Sequence, residues 1–279
     1  MSGCGGGTPA AIEQPAVTPL GSLAMLGEQL YKERFLSGSG RMSCATCHDP
    51  AFSHGPPNAQ AVQVGGAFET QFGLRAAPSL RYLERQPVFD LSALHGGLMA
   101  DGRVDTLAAQ VRLPLLNPLE LESGGPARLV RIVGAANYGP QFRAQFGEPD
   151  EATVLAAIGT ALQAFQLEDA RFHPYDSKFD LVVAGRERFS AAEVRGLAAF
   201  NDPARGNCAA CHTSSIGSGG KPPLFTNFGY AATGVARNPL IPANADASYF
   251  DLGLCQRPEL AGRAELCGLF RTPSLRNVE

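Results

Sequence analysis

The sequence contains no tryptophan, only 18% charged residues and a formal net charge of −3. It has no basic run of the kind that binds nucleic acid, so nucleic acid is not expected as a partner. Nor does any apolar run reach the ~18 residues of a membrane span. Glycine (32 residues) and proline (21 residues) are plentiful, which predicts long loops and many turns. At 279 residues the chain is long enough for about two domains.

The seven cysteines are the most informative residues. Four of them form two copies of Cys-x-x-Cys-His, in which two thiols bond to a haem and the histidine binds its iron. A zinc site would need the two cysteine pairs about 15–20 residues apart, and a thioredoxin-like motif would not need a histidine after both. The sequence therefore predicts two covalent c-type haems. Their ligands are Cys44, Cys47 and His48 for the first haem, and Cys208, Cys211 and His212 for the second.

The remaining cysteines bear on the compartment. Because haem c is attached outside the cytoplasm, we expect an exported, periplasmic protein in which Cys255 and Cys267 form a disulfide. Cys4 follows Ser2-Gly3, which resembles the end of a bacterial lipoprotein box. Residues 1–19 are then a flexible leader or lipoprotein tether with a lipid anchor at Cys4, its signal sequence removed. The alternative is a plain leader with an accidental cysteine.

The hydrophobic pattern predicts a mainly α fold of two cytochrome-c-like haem domains with long loops and little β structure. The N-terminal haem domain is expected at 20–170 and the C-terminal one at 171–279. Helices are expected at 20–36, 104–112, 127–136 and 151–168, and residues 49–80 as a long loop with a short hairpin. A further helix should open at a capping box, residues 190–193, and turn Val194, Leu197 and Phe200 inward.

One acidic residue points beyond simple electron transfer. Glu120 stands between Leu119 and Leu121, and burial there would raise the pKa of its carboxyl toward the range useful for acid–base catalysis. The alternative is a surface glutamate at the end of a loop.

Four stretches of the chain resemble the bacterial di-haem cytochrome c peroxidase family, which includes MauG-like enzymes. They are residues 26–50 around the first haem motif, residues 75–80, residues 101–120 and residues 270–278. The resemblance implies that the first haem binds hydrogen peroxide. It implies that the second haem receives electrons from a small redox protein, a cytochrome c or a cupredoxin.

The same resemblance assigns roles on the peroxide side of the first haem. Glu120 would move a proton, Gln110 would hydrogen-bond the bound oxygen species and Pro114 would shape the pocket. The predicted function is peroxide reduction at the N-terminal haem with electrons delivered through the C-terminal haem. The alternative is a MauG-like enzyme that uses peroxide to oxidise a residue on a partner protein. A non-catalytic di-haem electron-transfer cytochrome is the alternative of another class.

The chain departs from the family pattern between the haems. The family commonly has tryptophan just before Asp-Gly-Arg, and Ala100 stands there in this chain. Electron transfer would then need direct tunnelling or another residue, for which Tyr230 and Tyr249 are candidates by location. In the family the sixth ligand of the second haem lies further downstream than Glu279, so the C-terminal domain is expected to be truncated.

Two ligand questions follow from the resemblance. Many members bind calcium with an asparagine where this chain has Ala76, which leaves carbonyls near Arg271 and Pro273 as ligands of a Ca²⁺ ion. His54 is expected to be a solvated loop histidine, with a distal haem ligand as the alternative. The first haem is accordingly expected to be five-coordinate.

Overall fold

The structure, a computed structural model, describes residues 18–278. Cys4 and most of the expected tether, 1–19, lie outside these residues. Of the described residues, 41% are helical and 6% are in strands or bridges, which confirms the predicted mainly α class. Within the described range, no helix is both long and apolar enough to cross a membrane.

Four of the helices described have between 10 and 15 residues, and the other helices and the strands are shorter. The helices described are α1 (Ser22–Lys32), α2 (Cys44–Cys47), α3 (Leu107–Gln110), α4 (Arg112–Leu116), α5 (Pro126–Ala135), α6 (Gly139–Phe146), α7 (Val154–Glu168), α8 (Lys178–Val183) and α9 (Ala191–Asn201). Two antiparallel pairs join β1 (Val64–Gly65) to β2 (Gln71–Phe72) and β3 (Tyr230–Ala231) to β4 (Phe270–Arg271). The first pair is the hairpin expected within 49–80.

Several helices differ from their predicted bounds. The predicted 20–36 helix ends at Lys32, and a 3-10 turn, Arg34–Leu36, follows it. The predicted 104–112 helix is two short helices, because Pro114 has no N–H to bond the carbonyl of Gln110 four residues earlier. Helices α6 and α8 were not predicted, since each is too short for a helical period to emerge from the sequence.

The main core lies between α1 and α7. Gly27 lets the two helices approach closely, because a Cβ on it would lie 2.0 Å from the carbonyl oxygen of Ala161. The largest fully buried side chains around this contact include Leu26, Leu30, Tyr31, Phe142, Ile158, Leu162, Phe165 and Phe172. This core supports the first haem motif, since Tyr31 donates a hydrogen bond to the carbonyl of His48.

The prediction that α9 turns Val194, Leu197 and Phe200 inward was wrong for Val194. The capping box of Ser190 and Glu193 opens the helix as expected, but no residue of α9 is buried and Val194 is 53% exposed. Leu197 and Phe200 instead line a cavity beside the second haem motif. Leu197 and Phe200 of α9 therefore face a cavity and not a packed protein core.

The C-terminal loops have a small core of their own, formed by Leu254, Leu260 and Leu266. Cys255 and Cys267 form a disulfide across it, with their Cα atoms 4.9 Å apart.

Replacing both Cys255 and Cys267 by serine is expected to cost about 3 kcal/mol of stability, because the unfolded chain regains the freedom of a 12-residue loop. Denaturant unfolding of the two proteins measures this loss. Reducing agent should reproduce it in the wild type and leave the double variant unchanged, since the four other cysteines within residues 18–278 are not disulfide-bonded. Equal unfolding midpoints would contradict the expectation.

Candidate active site

The first Cys-x-x-Cys-His motif is held in a single turn of helix. Ser43 and Thr46 form a reciprocal capping box around α2, and the backbone N–H of His48 bonds to the carbonyl of Cys44 at 2.9 Å. Burial raises the pKa of Cys44 to about 12 and that of Cys47 to about 11, and the nearby Glu120 adds to the second shift. Both sulfurs thus lie on one turn, with the histidine directly after them.

The imidazole of His48 is oriented by two backbone carbonyls. Its Nδ1 donates to the oxygens of Pro78 at 3.0 Å and His54 at 3.2 Å. Burial lowers the pKa of His48 and keeps the ring neutral. A neutral imidazole whose Nδ1 is fixed this way has Nε2 free for a metal.

Both predictions for His54 were wrong. The residue is fully buried, and its ring stacks on Phe172 with the centroids 3.9 Å apart. Its carbonyl accepts from Nδ1 of His48, so it lies on the side of that ring away from Nε2. Burial lowers the pKa of His54 to about 4, and Arg81 adds to the shift. A loop histidine in the sequence carries no signal for such burial.

The second motif has the same hydrogen-bond pattern. A 3-10 turn, Cys208–Ala210, carries it. The backbone N–H of His212 bonds to Cys208 at 2.8 Å, and its Nδ1 donates to the carbonyl of Phe225 at 2.9 Å. A cavity of about 260 Å³ adjoins Phe225, lined mainly by Phe179, Phe189, Leu197, Phe200 and Phe225. An apolar, aromatic wall of this kind suits a porphyrin.

The donor sets fit two c-type haems. Each motif supplies two sulfurs that form no disulfide and one imidazole whose Nδ1 is occupied by a carbonyl. The cysteines would hold the porphyrin covalently, and His48 and His212 would bind the iron from the proximal side.

Gln110 lies on α3, whose N-terminal end is capped by the side chain of Thr106, and Pro114 lies on α4. The amide Nε2 of Gln110 is 3.6 Å from Sδ of Met99. The carbonyl of Pro114 accepts from the N–H of Leu121 at 3.1 Å, so Pro114 lies beside the turn that carries Glu120. Thus Pro114 and Glu120 are brought together, whereas the amide of Gln110 points to Met99.

Glu120 is half-buried, which contradicts the surface alternative. Burial raises the pKa of its carboxyl above the ordinary value, against the opposing hydrogen bond from Asn117 at 2.7 Å and the charge of Arg103. Its backbone is fixed by the β1 hairpin, because Gly66 donates to its carbonyl at 2.7 Å and a Cβ on Gly65 would lie 2.7 Å from that oxygen. The predicted direction of the pKa shift is confirmed.

An ion-pair network holds residues 101–103, which precede α3 and α4 in the sequence. Arg75 donates to Asp101 at 2.7 Å and to both carboxylate oxygens of Asp251 at 2.6 Å. Arg103 is also paired with Asp101, which is fully buried. The network joins the two sequence halves on either side of the predicted domain boundary.

Tyr230 lies beside the position where the family has tryptophan. Its hydroxyl donates to Gly96 at 2.7 Å, and its backbone pairs with Arg271, whose N–H donates to the carbonyl of Ala100 at 2.8 Å. Burial raises the pKa of Tyr230 to about 12. A role in electron transfer for Tyr230 or Tyr249 stays a prediction.

Calcium also stays a prediction. Ala76 has no side-chain oxygen, and in residues 18–278 no group of three or more His, Cys, Asp or Glu side chains could hold a metal ion. An ion would depend on the carbonyls expected near Arg271 and Pro273.

The sequence did not predict which carbonyls accept from the two proximal histidines. Nor did it predict the role of Asn117 or the buried ion pair of Asp180 and Arg276. Backbone carbonyls carry no side-chain signature. One signal was available, however: Pro-Ser-Leu-Arg occurs at residues 78–81 and again at 273–276.

The fold and the two donor sets define a di-haem protein of the cytochrome c type. The family model for di-haem cytochrome c peroxidase matches residues 22–188. The chain is 35% identical to methylamine utilization protein MauG of Paracoccus denitrificans over 270 residues, covering 92% of this chain and 68% of that protein. The chain belongs to the di-haem cytochrome c peroxidase family, and two covalently attached c-type haems are the cofactors of this family.

Two further comparisons agree. Cytochrome c551 peroxidase of Pseudomonas aeruginosa is 28% identical, covering 91% of this chain and 64% of that protein. The crystal structure of the diheme peroxidase BthA from Burkholderia thailandensis superposes with a TM-score of 0.86 at 37% identity, covering 94% of this chain and 67% of that one. The chain thus spans about two thirds of the length of these proteins.

Proposed function

We propose that the protein reduces hydrogen peroxide, H2O2 + 2 e⁻ + 2 H⁺ → 2 H2O, at the haem held by Cys44, Cys47 and His48. The observation that carries this proposal is Glu120, a half-buried carboxyl of raised pKa close to Cys47 of that motif. A group that must take and return a proton near neutral pH needs a pKa above that of an ordinary glutamate.

The haem supplies an iron that binds peroxide and accepts its oxidising equivalents. In this mechanism Glu120 accepts a proton at its carboxylate from the near oxygen of peroxide and returns it to the leaving oxygen. Asn117 holds one carboxylate oxygen at 2.7 Å, so the other is left for the proton. Pro114 would shape the wall beside Glu120, and Gln110 would hydrogen-bond the peroxide, with its amide released from Met99.

Electrons are proposed to enter at the second haem. Cys208 and Cys211 are exposed, whereas Cys44 and Cys47 are partly buried, which favours the second motif as the point of contact with a donor. The donor is a small redox protein, a cytochrome c or a cupredoxin. Covalent haem and the disulfide support a periplasmic location, and an anchor at Cys4 belongs to this proposal.

A second candidate is a MauG-like activity, in which peroxide serves to oxidise a residue on a partner protein. This activity is supported by the sequence identities, because the chain is 35% identical to MauG and 28% identical to cytochrome c551 peroxidase.

Rapid mixing with peroxide separates these candidates and the non-catalytic carrier. A resting spectrum with high-spin ferric haem and a fast reaction with peroxide are expected. Rapid oxidation of reduced cytochrome c or cupredoxin would support the peroxidase, and an oxidised state that persists despite such donors would favour the MauG-like enzyme. Two low-spin haems and no fast reaction with peroxide would support the non-catalytic electron-transfer cytochrome.

Asn117→Ala is expected to move the acid limb of the peroxide reaction to higher pH. Glu120 must be ionised to accept the proton, so the rate falls as the pH falls through its pKa. The hydrogen bond from Asn117 lowers that pKa, and its loss raises it. Rates at high pH should stay equal. Asn58→Ala, which removes an amide bonded to Gln63 instead, is the control, and an unmoved limb in Asn117→Ala would contradict the assignment.

A further inference from the structure

The repeated Pro-Ser-Leu-Arg segments make the same contacts in both halves of the chain. Ser79 Oγ donates to the carbonyl of Ser53 at 2.6 Å, and Ser274 Oγ donates to the carbonyl of Leu224 at 2.7 Å. In each segment the N–H of the following arginine, Arg81 or Arg276, bonds back to that serine Oγ at 3.1 Å. The two segments therefore form the same local device.

Each device holds the loop that orients a proximal histidine. Ser53 is followed by His54 and Leu224 by Phe225, and these are the residues whose carbonyls accept from His48 and His212. Both have a left-handed backbone, with φ of 53° and 52°. His54 thus has the position that Phe225 has in the second half, although its ring is buried and stacked on Phe172. The halves are not identical, since His48 also donates to Pro78.

The two devices touch each other reciprocally. Arg81 of the first donates to Oδ1 of Asn277 at 3.3 Å, and Asn277 directly follows the arginine of the second. Arg276 of the second lies over the ring of Tyr82 at 4.8 Å, and Tyr82 directly follows the arginine of the first. Both contacted residues have positive φ, 64° for Tyr82 and 58° for Asn277, which is uncommon for non-glycine residues and costly for a bulky one.

Arg276 connects this contact to the second histidine. Its Nε donates to Pro223 at 2.8 Å, two residues before Phe225. On the first side, the N–H of Tyr82 bonds to the carbonyl of Phe172 at 2.7 Å, and the ring of Phe172 packs on His54. A continuous set of contacts therefore runs from one carbonyl acceptor to the other.

We propose that these paired segments form a clamp on the proximal side that couples the two haem irons. The proposal rests on His48 and His212 being iron ligands, as in the proposed function. The Nδ1 hydrogen bond of a ligating histidine tunes its basicity and thereby the metal. When the acceptor carbonyl in one half is displaced, the contacts of Arg81 and Arg276 displace the acceptor carbonyl in the other half. The coupling acts in both directions, as thermodynamic linkage requires.

A cross-site experiment on the di-haem protein tests the clamp. Ser274→Ala frees the loop of Phe225 in the second half, and the readout is taken at the first haem. That readout is the iron–histidine stretching band in the resonance Raman spectrum and the reduction potential, neither of which depends on turnover. Ser274→Ala is expected to shift both at the first haem, and to shift the reduction potential of the second haem as well.

Ser274→Ala is then introduced into a second background, the double variant Tyr82→Leu and Asn277→Gly, which lacks the reciprocal contacts. The shift at the first haem should be lost and the shift at the second retained. Tyr82→Phe keeps the ring under Arg276 and should keep the transmitted shift. Should the leucine variant fold poorly, Asn277→Gly alone, at an exposed position that glycine suits, should weaken transmission. An absent shift at the first haem, or one that survives removal of both contacts, would overturn the proposal.

Failure here is distinguishable from failure of the proposed function. A protein that reacts fast with peroxide and transmits no shift disproves the clamp alone. Slow reaction with an intact transmitted shift disproves the peroxidase alone.

Discussion

Glu120→Gln is expected to slow the reaction with peroxide by about 100-fold or more, because glutamine cannot accept the proton that the carboxylate removes. The substitution keeps the size of the side chain and an oxygen that can accept from Asn117. Both haems should remain attached, since Glu120 does not belong to either Cys-x-x-Cys-His motif. Stopped-flow mixing of the resting protein with peroxide measures the rate.

Glu122→Gln is the matched control for this variant. Glu122 lies two residues further along, and its carboxylate accepts from the N–H of Ala67 at 2.6 Å. Its rate should stay close to that of the wild type. If Glu120→Gln reacts as fast as Glu122→Gln, Glu120 is not the proton carrier.

Asp180→Asn should have the largest effect on stability, a loss of about 3–5 kcal/mol, because it leaves the buried guanidinium of Arg276 without its counter-charge. The two side chains are 3% and 4% exposed and are joined by bonds of 2.7 and 2.9 Å. Chemical denaturation followed by circular dichroism measures the free energy of unfolding. Asp176→Asn, an exposed carboxylate on the same stretch, should change it by less than about 0.5 kcal/mol.

The pair also makes a pH-dependent contribution. Burial tends to raise the pKa of Asp180, but the hydrogen bonds from Arg276 and Ser177 and the charge of Arg276 hold it below its ordinary value. A carboxylate with a depressed folded pKa stabilises above the unfolded pKa of about 3.9 and loses this contribution as the pH falls through the folded value. Wild type and Asp180→Asn should therefore converge in strong acid. An equal difference at every pH would contradict the ion-pair explanation.

The sequence was most informative where covalent chemistry requires a fixed residue order. Cys44 to His48 and Cys208 to His212 predict haem attachment without any knowledge of the fold, because two thiols and a histidine in that order have a specific chemical use. The burial of Glu120 followed from its two leucine neighbours. The disulfide partners followed from the compartment that haem attachment implies.

Tertiary contacts explain what could not be predicted. His54 appears as a polar loop residue, yet its ring is buried against Phe172 and Tyr31, which are distant in the sequence. Leu197 and Phe200 have the spacing of a core face, but hydrophobic periodicity does not distinguish a protein core from a cavity wall. The pair of Asp180 and Arg276, 96 residues apart, leaves no local pattern at all.

Peroxide reduction at the first haem with electrons entering at the second requires that, in the fully reduced protein, one peroxide takes one electron from each haem. The direct measurement is rapid mixing of the fully reduced protein with one equivalent of hydrogen peroxide, followed at the bands of both haems. One equivalent is expected to oxidise both haems completely, and Glu120→Gln is expected to slow both oxidations together. A second haem that remains reduced after the first is oxidised, or a need for two equivalents, would contradict it.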